Sequence, residues 1–494
     1  MISVQSMPGI AELLEGVRLA QRGWAAEAIR VRVSVIRRLR RRMASGAREL
    51  AETIPTEFPG ALARTVADSL VSEVLPLLEA CRFLEREAEA TLRTRLVGAA
   101  GRPLWLGKVE AEVERTPWGA VLVLAPANYP LLLTGVQTLQ ALTAGNAVLW
   151  KPAPGTAAPA SALRRLLIEA GLPAELLTVL EADVASAAEA IEAGVDHVVL
   201  TGSAETGRVV SRQLAETLTP ATMELSGCDA VFVLPGADLE HAVRALVFGQ
   251  RFNGSATCMA PRRVFLVGLA EARAAEFEER LKAALMELDP VLLPAGGETL
   301  LRELIADARE QGAEVELDGL ADGEDDWAAC SATLILRATP ALKAMQTDIF
   351  APVLSVMRVT DAEEALAAHA ACPYGLTASV FGPEGAARVL ARRMLVGNVL
   401  INDVIVPTAD PRIPFGGRGA SGYGVTRGAE GLLAMTTPRT IQVQRGRPRR
   451  AYEATGEGHA ELFAGVVQML HGRGLRARMA GLKRMLGAAR RLRP

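Results

Sequence analysis

The chain has 494 residues, of which 50% are hydrophobic, 22% charged and 4% aromatic. This composition excludes a disordered chain, a small disulfide-stapled protein and a collagen-like repeat, and the length predicts two or three domains. The formal net charge of −2 gives no overall field that would recruit nucleic acid. The charge is uneven, however, because twelve Arg and Lys stand against three Glu from Arg445 onward.

The cysteines are odd in number and scattered, with no CxxC pair and no nearby His at metal-ligand spacing. We therefore expect no disulfide framework and no metal site, and a reducing cytoplasm as the compartment. Residues 1–20 contain Glu12 and Glu15 without a long apolar run, so we expect no signal peptide. The sequence has no run of 18 apolar residues, and we expect no membrane span.

The first hundred residues have the apolar spacing of amphipathic helices, over 10–19, 29–43 and 70–83. Residues 106–116, "LGKVEAEVERT", alternate apolar and charged side chains, which predicts a half-exposed strand or hairpin.

From residue 120 the pattern becomes alternating strand and helix. Short apolar runs predict buried parallel strands at "AVLVLAP" (120–126), "NAVLWKP" (146–152), "LLTVLE" (176–181) and "HVVLTGS" (197–203). Helical segments lie between them, at 129–142, 157–170 and 185–193. Such βαβ units predict a doubly wound domain that binds its ligand at the carboxyl ends of the strands.

A second set of apolar runs predicts another parallel sheet further along the chain. Its strands are expected at 230–235, 262–268, 332–336, 353–359, 377–382 and 398–403. No repeat or low-complexity linker separates the two halves, so we expect them to pack tightly.

No GxGxxG follows any of these strands, but a series of short motifs stands in a fixed order. They are "TPWGAVLVLAPANYP" (116–130), "AGNAVLWKP" (144–152), "LTGSAETG" (200–207), "MELSG" (223–227), "NGSATCMAP" (253–261), "DIFAPVLSV" (348–356), "NVLIND" (398–403) and "PFGGRGASGYG" (414–424). In this order they closely resemble the aldehyde dehydrogenase superfamily.

The resemblance implies an α/β, aldehyde dehydrogenase-like fold of two doubly wound α/β domains plus a small β oligomerisation element. A helical N-terminus and nicotinamide-dinucleotide domain is expected over 1–225, a catalytic domain over 226–425, and a return segment over 426–444. The oligomerisation element would combine a ribbon at about 105–117 with the strand "RTIQVQ" (439–444), and a homodimer is expected because partner subunits usually cover such ribbons.

The resemblance also implies the chemistry, which is oxidation of an aldehyde to a carboxylate with NAD or NADP. Cys258 is the expected nucleophile, which forms a thiohemiacetal and then, after hydride loss, a thioester. Glu224 is the expected general base that activates water, and Asn128, with the backbone N–H of Cys258, the expected oxyanion hole. The other cysteines (Cys81, Cys228, Cys330 and Cys372) are interpreted as core residues.

For the dinucleotide, Lys151 at the end of its strand is expected to bind ribose hydroxyls, in a chain with only five lysines. Gly202 and Ser203 open a helix whose free N–H groups favour a pyrophosphate. The remaining residues expected near the cofactor are Pro126, Ala127, Leu225, Asp348 and Phe350.

The chain departs from the usual family motifs at several positions. Ser255 and Ala256 replace a Gly-Gln pair before the cysteine, Ser226 replaces a glycine after the glutamate, and an aspartate, Asp348, stands where a glutamate is usual. Pro154 stands where a glutamate often repels a 2′-phosphate, so the preference between NAD and NADP stays open.

Two other functions stay open at this point. The acyl group could pass to coenzyme A instead of water, although Glu224 argues against this, or the chain could be a catalytically weak binding or scaffold protein. The segment 445–494 is interpreted either as a solvated or subunit-packing extension, or as a basic amphipathic helix pair that contacts a membrane peripherally.

Overall fold

The structure is a computed structural model that describes residues 9–56, 64–320, 327–446, 452 and 454–492. It divides into two compact units, the first formed by Met1–Thr94 with Glu114–Arg439 and the second by Arg95–Val113 with Thr440–Pro494. The helices of the first unit are α1 (Ile10–Ala26), α2 (Ile29–Ser45), α3 (Ala47–Glu52), α4 (Val66–Ser69), α5 (Leu75–Leu92), α6 (Leu132–Ala144), α7 (Ala157–Glu169), α8 (Val184–Glu192), α9 (Ala204–Thr217), α10 (Leu239–Arg251), α11 (Glu271–Met286), α12 (Ala295–Glu310), α13 (Ala362–Ala370), α14 (Glu384–Ala391) and α15 (Gly428–Ala434).

The strands, numbered along the whole chain, fall into sheets of both units. They are β1 (Arg95–Val97), β2 (Val109–Pro117), β3 (Ala120–Leu124), β4 (Ala147–Lys151), β5 (Leu177–Val179), β6 (His197–Gly202), β7 (Ala221–Leu225), β8 (Asp229–Val233), β9 (Pro261–Val267), β10 (Val291–Pro294), β11 (Glu314–Leu317), β12 (Trp327–Cys330), β13 (Thr333–Leu336), β14 (Val353–Val359), β15 (Tyr374–Gly375), β16 (Thr377–Phe381), β17 (Asn398–Ile401), β18 (Arg418–Gly419), β19 (Gly422–Tyr423) and β20 (Thr436–Gln444).

A six-stranded sheet forms the first half of the large unit, in the order β19-β7-β6-β3-β4-β5. Its strands run parallel except for β19, which pairs antiparallel with β7. All five residues of β3 are buried, as expected for a parallel strand with both faces covered. This explains why its sequence is an unbroken apolar run.

A seven-stranded sheet forms the second half, in the order β11-β13-β14-β9-β8-β16-β17. Alternate residues of β8 enter two different core clusters, with Phe232 in one and Val231 and Val233 in the other. The sheet is therefore covered by a hydrophobic core on each face, which is the doubly wound arrangement.

The N-terminal helices follow the predicted ranges, but the predicted helix over 70–83 is not uniform. Leu70–Val74 form a π-helical turn that leads into α5. This wider turn carries Glu73, whose side chain is fully buried. Pi-helical turns often occur at functional sites, and the contacts of Glu73 are described below.

The second unit contains a three-stranded sheet of order β1-β2-β20 and two C-terminal helices, α16 (Glu457–His471) and α17 (Gly474–Arg491). In the described residues, no helix is long and apolar enough to cross a membrane.

Candidate active site

Cys258 lies between α10 and β9, after a sharp turn of the backbone. Asn253, Gly254 and Ser255 in this turn have left-handed φ values of 51°, 58° and 63°. Cys258 is partly exposed, whereas the four other cysteines are buried and free. Burial, together with nearby carboxylates led by Glu224, raises the pKa of the Cys258 thiol. The thiol therefore needs a nearby base or cation in order to react near neutral pH.

Two cavities meet at Cys258, and both are also lined by Glu224 and Leu133. The larger cavity, of about 430 Å³, lies at the carboxyl ends of β3, β6 and β7. The second, here called the apolar cavity, has about 300 Å³ and mostly apolar walls. The residues predicted from sequence that line the larger cavity are Pro126, Ala127, Asn128, Gly202, Ser203, Glu224, Leu225, Cys258, Asp348 and Phe350.

Lys151 ends the strand next to this group. It pairs in register with Leu124 of β3, two residues before Pro126. The side chain is half-buried, and desolvation lowers the pKa of its ammonium while the Asp183 carboxylate opposes the shift. Its position is thus at the same edge of the sheet as the larger cavity.

Ser203 caps the N-terminus of α9, where its hydroxyl accepts a hydrogen bond from Thr206 N at 3.1 Å. The helix lies close to the sheet, because a Cβ added at Gly207 would stand 2.6 Å from Leu225 Cδ1. This close packing brings the free N–H groups of the first turn of α9 to the cavity edge, where an anion is favoured.

Glu224 lies on β7, opposite Gly422 of β19. Its Oε2 accepts a hydrogen bond from the Thr426 hydroxyl at 2.9 Å. Its Oε1 is buried and accepts no hydrogen bond from the described part of the chain. Burial raises the pKa of the carboxyl, and the Arg427 guanidinium opposes that shift. The site thus holds a poorly solvated carboxyl group that lines the same two cavities as Cys258 and has one oxygen without a hydrogen-bond partner in the described part of the chain.

Asn128 is held by the turn that precedes Cys258. Its Nδ2 donates to Ala256 O at 2.9 Å, which leaves a second N–H on the same amide. Asn253 Nδ2 donates to Asn128 O at 3.1 Å and to Ala256 O at 3.1 Å. These bonds couple the loop that carries Asn128 to the turn before Cys258.

A buried ion pair between Arg64 and Glu73 lies behind these loops. Arg64 donates to Asn128 O at 2.9 Å and to Asn253 Oδ1. Glu73 Oε2 accepts from the backbone N–H groups of Leu131 and Leu132 at 2.8 and 3.0 Å. The Arg64 guanidinium therefore joins the loop of Asn128 to the turn before Cys258, and the Glu73 carboxylate holds the residues that follow Asn128.

Asp348 is half-buried in the wall of the larger cavity, with its Oδ1 atom fully covered. Burial raises its pKa to about 6, while Arg262 and a hydrogen bond from Ser226 act in the opposite direction. Its Oδ1 has no hydrogen-bond partner among the described residues. Such an orphaned buried acceptor is suited to a ligand hydroxyl.

Comparisons with known proteins identify the family of the chain. The aldehyde dehydrogenase family model matches residues 9–441. The chain belongs to the aldehyde dehydrogenase family. The resemblance seen in its sequence motifs is thereby confirmed, and so are the fold class and the assignment as an NAD(P)-dependent aldehyde dehydrogenase, an oxidoreductase.

Individual relatives of this aldehyde dehydrogenase cover most of its length. The 4,4′-diapolycopene aldehyde oxidase of Methylomonas sp is 30% identical over 478 residues, 94% of this chain and 87% of the relative. The NADP-dependent glyceraldehyde-3-phosphate dehydrogenase of Bacillus halodurans, solved with NADP, has a TM-score of 0.78 at 26% identity and covers 88% of this chain and 91% of that one. The Mycobacterium tuberculosis aldehyde dehydrogenase, solved with NAD+, has a TM-score of 0.79 at 24% identity over 90% and 92% of the two chains.

The structure explains one departure of this aldehyde dehydrogenase from the family motifs. Ser255 Oγ and Ser255 O both accept hydrogen bonds from the Arg262 guanidinium, each at 2.6 Å. Arg262 is buried and also donates to Ala351 O at 2.9 Å. The serine hydroxyl at this position therefore helps to satisfy a buried cation beneath the cysteine loop.

Sequence reasoning missed several polar residues around the site, namely Arg64, Glu73, Arg262, Thr426 and Arg427. The arginines had no distinguishing signal in a chain so rich in arginine. Glu73 and Thr426 lie in segments without a motif, and only their burial in the folded chain identifies them.

Proposed function

We propose that this aldehyde dehydrogenase oxidises its aldehyde substrate to a thioester on Cys258 and releases the acyl group from Cys258 by hydrolysis. The observation that carries the proposal is that Oε1 of buried Glu224 has no hydrogen-bond partner in the described residues, while Glu224 and Cys258 line the same cavity. A carboxylate with an unpaired oxygen next to the nucleophile is suited to deprotonating a water.

The residues around the larger cavity are suited to NAD or NADP. The orphaned Oδ1 of Asp348 would accept a ribose hydroxyl, Lys151 would contact the other ribose, and the α9 N-terminus with Gly202 and Ser203 would face the pyrophosphate. When bound there, the nicotinamide supplies the acceptor for the hydride.

The chain's own groups would act in order. The Cys258 thiol first loses its proton to solvent, and the thiolate sulfur adds to the aldehyde carbon. The resulting oxyanion accepts hydrogen bonds from the Cys258 N–H and the second amide N–H of Asn128. After hydride departure, Glu224 takes a proton from water while the water oxygen attacks the thioester carbon. The carbon–sulfur bond then breaks, which releases the carboxylic acid and the Cys258 thiolate, and the acid and Glu224 each lose a proton to solvent.

The apolar cavity supports an uncharged, apolar aldehyde as substrate. Its walls include Val71, Phe248, Phe252, Met259 and Ile405. Its one arginine, Arg427, donates from Nη1 to Thr408 O at 2.6 Å, lies 4.8 Å from the Phe415 ring centroid and offsets the charge of the Glu224 carboxylate. A carboxylate on the substrate would lose its hydration and add a further negative charge beside Glu224.

The test measures reduced nicotinamide at 340 nm with apolar aliphatic, aromatic and semialdehyde substrates, with NAD or NADP, and with or without coenzyme A. We expect coenzyme A-independent turnover, fastest with the apolar aldehydes. Cys258→Ser should lower the rate by about a thousandfold or more, whereas the matched variant Cys330→Ser at a buried position should keep it.

Other outcomes would reject parts of the proposal. An absolute need for coenzyme A would assign the acyl transfer to a thiol acceptor and leave Glu224 without its role. Nicotinamide binding without turnover of any aldehyde would instead favour the scaffold function.

We also propose a homodimer formed through the three-stranded sheet. Its edge strand β20 exposes Ile441 and Val443, and its other edge exposes Leu96 and Val97. An exposed apolar edge strand favours pairing with another copy.

A further inference from the structure

The two C-terminal helices pack on each other through small residues. A Cβ added at Gly465 would stand 2.4 Å from Met485 N, and one added at Gly481 would stand 2.3 Å from Met469 N. Ala488 is also buried in this hairpin. Because glycine and alanine fill the contact between α16 and α17, the large apolar side chains of these helices are not needed there.

Those large side chains are on the outside of the hairpin. Phe463 and Val467, one helical turn apart on α16, are 49% and 60% exposed. Leu475, Met479 and Leu486 lie along one stripe of α17, and Leu475 is 76% exposed. Clustered exposed side chains of this size usually mark a surface that is covered in use.

The same hairpin carries an excess of unpaired positive charge. Arg484 is paired with Glu461 at 2.7 Å. The remaining cations of the hairpin form no ion pair with any carboxylate in the described part of the chain, and they are Arg473, Arg476, Arg478, Lys483, Arg490 and Arg491. On the helical wheel of α17, Arg478 lies on one side of the exposed apolar stripe, and Lys483 and Arg490 lie on the other.

We propose that the α16–α17 hairpin binds the surface of an anionic lipid bilayer, with the apolar stripe of α17 in the interface and the cations beside that stripe at the lipid headgroups. Charge complementarity selects this occupant, because a second copy of the hairpin would bring the same unpaired cations together. The helices lie on the bilayer without crossing it, since neither is apolar enough to span.

The test is co-sedimentation of the full chain with phosphatidylcholine vesicles and with vesicles containing phosphatidylglycerol. We expect pelleting with the anionic vesicles, little with the neutral ones, and a marked loss between about 0.1 and 0.5 M salt. Vesicle binding is read without turnover, so the result does not depend on the proposed reaction.

Variants test whether vesicle binding depends on the hairpin or on another part of the surface. Leu475→Asp with Met479→Asp, and separately Arg476→Glu with Lys483→Glu, should each weaken binding by about tenfold or more. The matched controls are Val184→Asp, at an exposed valine on α8, and Arg22→Glu with Arg30→Glu, at exposed arginines of α1 and α2. They should bind like the parent chain.

Equal pelleting of the hairpin variants and the parent would overturn the proposal, as would no pelleting with anionic vesicles. A change of oligomeric mass in the hairpin variants, with no vesicle binding by the parent, would instead assign the surface to a second copy of the chain.

Discussion

At the scale of single residues, Ser255 combines a strained backbone with a useful hydroxyl. We expect Ser255→Ala to lower the free energy of unfolding by about 2 kcal/mol, because buried Arg262 loses a hydrogen-bond partner while the left-handed φ remains. Ser255→Gly should cost less, since glycine relieves about 1 kcal/mol of backbone strain. Urea denaturation measures both, and equal losses in the two variants would contradict this account.

The buried Glu224 carboxylate is expected to lower the free energy of unfolding at neutral pH while it serves the hydrolysis step. Well below pH 4.5, its carboxyl is neutral in folded and unfolded chains, so no charge has to be buried on folding. Because the pKa of the carboxyl is higher in the folded chain than in the unfolded chain, the free energy of unfolding falls as the pH rises from the unfolded pKa through the folded pKa. We expect Glu224→Gln to be inactive in hydrolysis but more stable than the parent at pH 7, by about 1 to 2 kcal/mol.

Thermal unfolding of the parent and Glu224→Gln from pH 4 to pH 8 measures this difference in stability. The advantage of the variant should shrink toward pH 4, and a constant difference in unfolding free energy would refute the burial argument.

Asp348 should make cofactor affinity depend on pH. Its pKa of about 6 predicts that the KM for NAD or NADP rises as the pH falls below 6, because the protonated carboxyl loses charge and acceptor capacity. Ser226 donates a hydrogen bond that lowers this pKa, so Ser226→Ala should move the inflection to higher pH. KM against pH is the measurement, with Asp348→Asn as the control that removes the inflection.

At the scale of elements, the π-helical turn Leu70–Val74 aims Glu73 at the backbone of Leu131 and Leu132. Apolar periodicity predicted a helix there but could not reveal the wider turn, because i→i+5 bonding leaves little trace in hydrophobic spacing. The apolar strands were easier to predict. Val353–Val359 has the predicted bounds, because both faces of that strand are buried and its sequence is correspondingly apolar.

The ion pair on this element gives a prediction that joins stability to catalysis. Arg64→Gln should leave buried Glu73 without its counter-charge and lower the unfolding free energy by about 3 kcal/mol. It should also lower kcat more than it changes the KM for aldehyde, because Asn128 and Asn253 lose their shared donor.

Urea denaturation and steady-state kinetics at saturating cofactor are the measurements, and Arg64→Lys should restore part of both quantities. A variant of normal kcat but reduced stability would assign Arg64 a purely structural role.

At the scale of the whole molecule, the exposed edge of β20 predicts the oligomeric state. Light scattering should give about twice the chain mass of 52.3 kDa. Ile441→Asp with Val443→Asp should give the mass of one chain, whereas Val209→Asp, at a similarly exposed valine on α9, should not change the mass. A monomeric parent chain would disprove the dimer.

The α/β class could be predicted from the apolar runs of buried strands, and the family and the candidate groups Cys258, Glu224 and Asn128 from the resemblance of short motifs to a known family. The distant side chains that support these groups could be identified only in the folded chain. Arg64, Arg262 and Thr426 act through contacts between segments far apart in the chain. The cost of burying polar groups selects such partners in three dimensions, and local sequence holds no record of that selection.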